Sequence, residues 1–424
     1  MTRGARKILF FVFFLIFLLG APLMILYYQG YRFDFEKKSL TQTGGLFLKI
    51  IPKQAEIYLN EKLVKKTDFF FGSALIENLL PKRYLVEVKK NGYFSWKKDL
   101  EIKEREVTEA KNIVLFPKNP NFSILTKNLK NFWFTPDGKK MILKEEQEGT
   151  WALKLYDLDR SVKSHLLKGT DLSRQESELF DLKFSEDSKK IFLEAGIGEQ
   201  LKYLTLEIEK TPLLLLEIKE PQPPIENILT YQNFNGDIYF LDNFGYLWRS
   251  DSSFSMKEKI TETPFPTKEE TEHDLYIFPG FIFLKEGETL YLFNPDLKLF
   301  EKFFEKIDGL KISPDNKKLL FFSDSEIWVL FLKEKLTQSI KKAGEKILLV
   351  RLSEKIESAF WLNSDYLIFN AGDKIKIAEI DERDKLNIVD LVEFKNPEIF
   401  FNQINKELYV LADGILYSSE ILLK

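Results

Sequence analysis

Apolar and polar positions alternate along this chain in short runs, and one ten-residue arrangement keeps returning. It reads FTPDGKKMIL at Phe134–Leu143, FSEDSKKIFL at Phe184–Leu193 and ISPDNKKLLF at Ile312–Phe321. In each, an apolar residue precedes a polar turn, a Lys pair and a hydrophobic run. Pro136 and Pro314 preset φ at the first central position of a β-turn. Asp137 and Asp315 can hydrogen-bond their own backbone just beyond, and Gly138 and Asn316 tolerate the left-handed conformation that closes such turns. The run after the turn is β-prone, so the unit predicts strand, tight turn, strand.

Weaker copies keep the same frame at Tyr231–Phe240 (YQNFNGDIYF) and Phe401–Val410 (FNQINKELYV). A shorter copy stands at Trp361–Phe369 and a degenerate one at Ile277–Phe283. Successive copies start roughly 35 to 50 residues apart, the spacing of a repeat architecture. Each is followed by another β-like segment: Trp151–Leu158, Lys202–Ile208, Gly245–Ser250, Thr289–Phe293, Glu326–Phe331, Lys374–Ile380 and Gly414–Ser418. Short strands recurring in this way predict propeller blades of four strands each. Residues 121–424 divide into about seven such blades of 40–45 residues. Leu299–Ile307 fits a helix as well as a strand by period. Leu330–Lys346 is Lys-rich and poorly patterned, and Lys219–Pro224 and Thr261–Thr271 read as loops inserted between strands.

The N-terminus has a different pattern. Arg3, Arg6 and Lys7 precede an uncharged apolar run, Ile8–Tyr28. At 1.5 Å per residue it is about 30 Å of helix, enough to span a bilayer's hydrocarbon core. The basic residues before it predict an N-terminus inside the cell and a single pass through the cytoplasmic membrane, with the bulk of the chain extracytoplasmic. Tyr27, Tyr28 and Tyr31 stand where an interfacial aromatic belt is expected. The competing reading is a cleaved signal peptide. The run is longer than an ordinary h-region, and Leu19-Gly20-Ala21 is a weak cleavage site, so an uncleaved signal-anchor is expected.

Residues 29–43 read as a polar juxtamembrane linker. Residues 44–116 read as a compact β module, with strands at Leu46–Ile51, Ala55–Leu59, Leu85–Val88, Leu100–Ile102 and Asn112–Leu115. The alternation in Tyr84–Lys90 suits a sheet with one buried face. Pro117–Pro120 is a Pro-bounded boundary.

Two resemblances follow from these residues. Gly45, Pro52 with Ala55, Tyr58, Tyr84-Leu85-Val86-Glu87-Val88 and Asn91-Gly92-Tyr93 resemble the PEGA domain family. Pro52-Lys53-Gln54-Ala55 lacks that family's Gly, and Lys65-Lys66-Thr67-Asp68 stands where it has Gly-x-Thr-Pro. The resemblance implies a non-catalytic β-sandwich of cell-envelope and surface proteins. Thr135–Lys140 and Ser313–Lys318 resemble the turns of TolB-like and WD-repeat-like propellers. The Gly-His and Trp-Asp signatures of standard WD repeats are absent, which favours the TolB-like comparison.

The expected fold class is therefore mainly all-β: an N-terminal transmembrane helix (1–28), the linker (29–43), a small PEGA-like β-sandwich (44–116), a boundary (117–120) and a β-propeller of about seven blades (121–424).

Composition narrows the chemistry. A chain 44% hydrophobic and 30% charged, with net charge −3, is a folded body and not a polybasic nucleic-acid binder. With no Cys there is no disulfide, thiolate nucleophile or cysteine metal site. His165 and His273, both in polar surroundings, are the two histidines. They form a ligand pair only if the fold unites them. Ser323-Asp324-Ser325-Glu326 offers alternating carboxylates, but Val329 and Lys335 stand where a calcium loop needs Gly and Glu, so it reads as a solvated turn. Asp381-Glu382-Arg383-Asp384 reads as a surface charge cluster.

Lys139-Lys140, Lys189-Lys190 and Lys317-Lys318 would recur around a ring. They would offer a basic rim to an anionic glycan, a lipid headgroup or an acidic partner. The alternative is that one Lys of each pair starts a solvent-facing strand and discourages edge pairing. There is no nucleophile elbow, Walker loop, H-E-x-x-H or dinucleotide fingerprint. No catalytic, cofactor-binding or metal-binding residue is assigned, and no cofactor is expected. The expected role is a non-catalytic envelope scaffold. It would meet the cell membrane through residues 8–28 and an envelope protein or glycan through propeller loops, without nucleic acid. The alternatives are a lyase- or glycosidase-type enzyme using the propeller funnel, which needs paired carboxylates near the axis, and a TolB-like partner of a translocation system.

Overall fold

The computed structural model describes residues 3–147, 149–173, 177–210, 214–219, 227–268, 271–336 and 339–423. The apolar run forms one helix, Arg3–Tyr28. Among the described residues it is the one helix long and apolar enough to cross a membrane, and its most apolar stretch packs against nothing else in the chain. Met24 is 76% exposed and Tyr28 95%.

Residues 29–43 contain a two-stranded hairpin, Tyr31–Asp34 with Ser39–Gln42. The Asp34 carboxylate accepts from the amides of Glu36 and Lys37 and shapes the bend. Arg32 donates to the Tyr27 carbonyl at 2.9 Å, lies 3.6 Å over the Tyr27 ring and reaches Asn78 Oδ1 at 2.8 Å. The helix end is thereby tied to the module that follows.

That module is a sandwich of two sheets. One holds Ser73–Leu79, Gly44–Ile51 and Val107–Val114 in spatial order; the other holds Lys62–Lys66, Glu56–Leu59, Arg83–Lys89 and Trp96–Glu101. Alternate residues point inward, so Leu46, Leu48, Ile50, Ile57, Val86 and Val88 are fully buried between the sheets. Lys62–Lys66 and Ser73–Leu79 lie beside each other on one lateral edge, and Trp96–Glu101 and Val107–Val114 on the other.

Beyond Pro120 the described residues form seven four-stranded antiparallel sheets. Six are consecutive in sequence, at 129–168, 177–218, 228–259, 273–305, 309–351 and 356–393. The seventh combines Glu398–Asn402, Glu407–Ala412 and Ile415–Ser419 with Phe122–Lys127, which pairs outside Ile415–Ser419. A strand from the start of this region thus completes the blade made at its end. The chain is a seven-bladed β-propeller.

Each recurrent motif is the hairpin between the first, innermost strand of a blade and the second. The degenerate copy at Ile277–Phe283 is the corresponding hairpin of blade 4. Leu299–Glu305, ambiguous by period, is the outer strand of that blade. In Leu330–Lys346, where 337–338 lie outside the described residues, the third strand of blade 5 ends at Phe331, Lys335 and Lys341 form an isolated bridge, and the fourth strand begins at Lys346. Of the expected loop Lys219–Pro224, all but Lys219 lies outside the described residues, as do 269–270 of Thr261–Thr271.

Apolar clusters bridge blades 1 and 2, 3 and 4, 4 and 5, 5 and 6, 6 and 7, and 7 and 1. At the last seam Phe134 stacks on Phe400 at 4.3 Å with Tyr409 edge-on at 4.8 Å. On the side of blade 3 toward blade 2, Ile228, Ile238 and Phe240 form a cluster of their own.

Gly245 closes the Asp242–Gly245 turn of blade 3 at φ +84°, and a Cβ there would stand 2.0 Å from the Phe265 carbonyl oxygen. Gly236 has φ +89° but open space around it. We expect Gly245→Ala to destabilise the propeller by about 3 kcal/mol in chemical denaturation, and Gly236→Ala by about 1 kcal/mol, the cost of backbone strain alone.

Candidate functional site: the two ends of the ring

In an antiparallel blade, the turn after the first strand and the turn after the third lie at one end of the ring; the remaining connections lie at the other. The recurrent motif therefore sits at a single end. Its polar residues form the same box three times. Thr135, Ser185 and Ser313 each donate a hydroxyl at 2.6 Å to Asp137, Asp187 and Asp315. Those carboxylates accept the amides of Lys139, Lys189 and Lys317 at 3.1 Å. The same hydroxyl oxygens accept the amides of Lys140, Lys190 and Lys318. The Asp187 carboxyl is held below its usual range by the Ser185 hydroxyl and the Lys189 amide. At Asp137 burial pushes upward and the Thr135 hydroxyl and Lys139 amide override it; at Asp315 burial is overridden by the Ser313 hydroxyl and the Lys318 ammonium.

Neighbouring turns are also joined. The Asp137 amide donates to Ser188 Oγ at 3.1 Å, and Asn402 Nδ2 donates to the Gly138 carbonyl at 2.8 Å. Trp361 Nε1 donates to the Lys311 carbonyl at 2.9 Å, and Gln403 Nε2 donates to the Trp361 carbonyl.

This geometry divides the Lys pairs. The second Lys of each is engaged: Lys140 with Glu209, Lys190 with Glu207 at 3.9 Å, and Lys318, itself buried, with Asp315 at 2.9 Å. Lys139, Lys189 and Lys317 remain exposed at the rim.

The sandwich docks on this same end, against blade 6. Lys98 is wholly buried, with its ammonium 2.6 Å from Glu379 Oε1, and it also donates to the Asp381 carbonyl. Glu379 accepts in addition from Trp96 Nε1 at 2.8 Å and from the Asn387 side chain at 2.8 Å, so its charge is fully met. Tyr366 Oη accepts the Val114 amide at 3.0 Å, with Phe116 edge-on to its ring at 5.4 Å.

Of Asp381-Glu382-Arg383-Asp384, expected on the surface, Glu382 is exposed and pairs with Lys341 of blade 5, while Asp381, Arg383 and the exposed Asp384 take part in this junction. Arg383 forks onto Asp381 at 2.9 and 2.7 Å and donates to the Glu109 carbonyl, while Asp384 accepts the Asp99 amide at 2.9 Å. A charged turn was invisible as an interface residue because its partners lie far away in sequence. Burial pushes the Asp381 carboxyl up, but Arg383 and Lys98 hold it below the usual range. Beside it is a cavity of about 30 Å³, lined by Trp96, Asn112, Lys335, Asp365, Glu379 and Asp381 among others. That is room for an ordered water among polar groups. Burial pushes the Asp365 carboxyl up and the Lys335 amine down.

A cation of another kind lies between blades 5 and 6. Lys311, on the innermost strand Gly309–Ile312, places Nζ 3.0 Å from the centroid of the Phe360 ring. Among the described residues no carboxylate pairs with it, and burial alone pushes its amine down to about 7.

At the far end of the ring two grooves, of about 1020 and 610 Å³, share the Lys130–Glu146 ion pair. Trp151 and Phe180 line the larger, Glu398 and Asp413 the smaller. Glu357 is the second residue of the innermost strand of blade 6, Ile356–Trp361, and Glu398 the first of that of blade 7. Burial, then the charge of Glu357, pushes the Glu398 carboxyl up.

The histidines stand apart. His165 is on blade 1, 3.7 Å from Asp171; His273 is buried on blade 4, 3.4 Å from Glu286. No group of three His, Cys, Asp or Glu able to hold a metal occurs among the described residues. In Ser323–Glu326 the Ser323 hydroxyl accepts the Glu326 amide at 3.1 Å, which makes it a turn of blade 5.

No family model matches the chain, and no curated protein matches it. The likeness is to solved propellers. The chain is similar to the Cps50 (Swd1) β-propeller domain of Myceliophteria thermophila, at 10% identity and TM-score 0.42 over 70% of this chain and 99% of that one. It is similar to an oligogalacturonate lyase in complex with manganese, at 12% and 0.42 over 71% and 93%. It is also similar to YCF48 from Cyanidioschyzon merolae, at 10% and 0.40 over 70% and 98%. These likenesses concern the fold alone.

Removing one partner of a buried pair leaves the other charge uncompensated. We expect Lys98→Met to cost about 3–5 kcal/mol in denaturation, and Lys98→Met with Glu379→Met to recover most of that loss.

Lys311 has the opposite sign. Its amine is near 7 in the fold against 10.5 ordinarily, so between those values the unfolded chain binds more protons. Its contribution makes the protein more stable as pH rises through that window. Lys311→Met is expected to raise Tm at pH 7 and to flatten stability against pH between about 7 and 10.

Proposed function

We propose that the chain is a membrane-anchored extracytoplasmic scaffold of the cell envelope. Its helix lies in the cytoplasmic membrane with the N-terminus inside, the sandwich is a stalk and the propeller presents a binding face. The observation that carries this reading is the N-terminal helix, whose apolar side chains find no burial in the protein. Exposing so long an apolar run to water is costly, and a bilayer removes the cost. Arg3, Arg6 and Lys7 before it support the inside placement.

The junction at Glu379 supports the stalk role, because buried ion pairs and aromatic packing fix the propeller to the sandwich. The resemblance of residues 44–116 to PEGA domains, and of the turns to TolB-like propellers, agrees with an envelope setting. The grooves around Lys130–Glu146, facing away from the docked sandwich, are the surface offered to an envelope protein or glycan.

An alternative is an envelope enzyme of lyase or glycosidase type working at the same mouth. Glu357 and Glu398 favour it, as two carboxylates from adjacent inner strands of which one has its proton affinity raised.

Because the chain has no cysteine, a single Lys317→Cys substitution gives one labelling site at an exposed position. In intact cells of a host expressing the protein, a membrane-impermeant maleimide is expected to label it without lysis. Labelling only after lysis would place the propeller inside and end the extracytoplasmic reading.

A further inference from the structure

Three consecutive phenylalanines, Phe69, Phe70 and Phe71, stand on a loop of the sandwich and are 65%, 73% and 75% exposed. The loop is not loosely held. Asp68 accepts the Phe71 amide at 2.5 Å through one oxygen, and the Ser73 amide and hydroxyl at 2.7 and 2.6 Å through the other. Those bonds hold the Asp68 carboxyl far below its usual range. The fold thus builds a rigid platform and then presents aromatic rings to the outside, a surface that soluble proteins keep small.

Lysines are frequent around the loop, interspersed with Glu56, Glu61 and Glu77. The edge strand Lys62–Lys66 is exposed throughout and carries Lys62, Lys65 and Lys66, while Lys53, just beyond strand Gly44–Ile51 of the other sheet, comes close to Gly72 at the foot of the loop. Lys65 donates to the Leu75 carbonyl, and Lys66 pairs with Glu56 at 2.9 Å while remaining 61% exposed. Leu63 and Val64 add apolar area between the lysines, at 50% and 42% exposure.

Position identifies the occupant. The propeller is docked on the lateral edge formed by Trp96–Glu101 and Val107–Val114; the aromatic loop belongs to the opposite edge. That edge also meets the apolar helix, since Arg32 at the helix end binds Asn78 on Ser73–Leu79. Ser73 pairs with Lys49 and Leu79 with Gly44, so the loop lies about 20 Å along one edge strand from the helix attachment. The exposed Phe33, Phe35 and Leu40 of the hairpin continue the same apolar character toward the helix.

We propose that this edge of the sandwich lies on the bilayer surface. Phe69–Phe71 would insert among the acyl chains just below the headgroups, with Lys53, Lys62, Lys65 and Lys66 meeting anionic lipid. Aromatic side chains flanked by lysines suit that interface, where apolar rings enter and ammonium groups stay with phosphate. The helix then serves as one point of attachment and the loop as a second, which fixes the tilt of the stalk and holds the propeller on the side away from the membrane. This inference rests on the membrane-spanning reading of the helix, and its test separates the two.

The full chain is reconstituted into vesicles with and without anionic lipid, carrying either Phe70→Cys or, in the helix, Phe17→Cys, labelled with an environment-sensitive fluorophore. With anionic lipid, the loop label is expected to shift to shorter wavelength and to be quenched by shallow spin-labelled lipid. Lys62→Glu with Lys65→Glu, or high salt, is expected to remove much of that quenching. A helix label quenched by lipid beside a loop label open to aqueous quencher in both bilayers overturns the inference and leaves the anchor standing. A helix label open to aqueous quencher overturns both. Energy transfer between loop labels on different copies, without lipid quenching, assigns the patch to self-association and also overturns it.

Discussion

A blade of four antiparallel strands is apolar on both faces and cannot stand in water alone. Each needs a neighbour on either side, and the requirement ends only when the row closes on itself. Everything after Pro120 answers to that constraint. Phe134 and Phe400 stack where the first and last blades meet, and Phe122–Lys127 completes the last blade from outside. The turn motif serves the same end. Its Ser or Thr, Asp and two Lys amides make a closed box at the foot of a blade, and side chains such as Ser188 and Asn402 carry bonds to the next turn. Recurrence of the motif is therefore a record of repeated packing.

That explains what was legible in the sequence. The three strong motif copies mark inner hairpins because a tight turn has few chemical solutions, and the solutions are local. The segments that followed them fall on the third strand of each blade, where period-2 patterning is plain. The weak copy at Ile277–Phe283 lost its polar turn to Pro279-Gly280 yet kept its frame. The closing strand Phe122–Lys127 carried no local mark; its role depends on a partner almost three hundred residues later. Lys98 and Glu379 escaped for the same reason, as did the part of Asp381–Asp384 in the junction. A charged residue reads as exposed until its partner is known. Lys311 is a harder case, since nothing around it in sequence distinguishes a lysine packed on an aromatic ring of the next blade from a surface one.

The junction between sandwich and propeller is polar at its centre and apolar around it. Trp96, Lys98 and Asn387 converge on Glu379, while Tyr366, Phe116 and Val114 pack beside them. A greasy contact alone would tolerate sliding. A buried carboxylate with its donors at fixed angles admits one orientation, because any other leaves a charge unmet. The junction thereby fixes the direction in which the grooves at the far mouth face relative to the sandwich.

The order of the strands also has a consequence for biosynthesis. Ribosomes release the outer strand of the last blade before any other part of the ring, and its hydrogen-bonding partner, Ile415–Ser419, only at the end. Throughout translation the early segment has no mate, and a chain cut short anywhere in the interval keeps two unsealed sheet edges. Such fragments invite edge-to-edge association, so closure of the ring waits on its last strand.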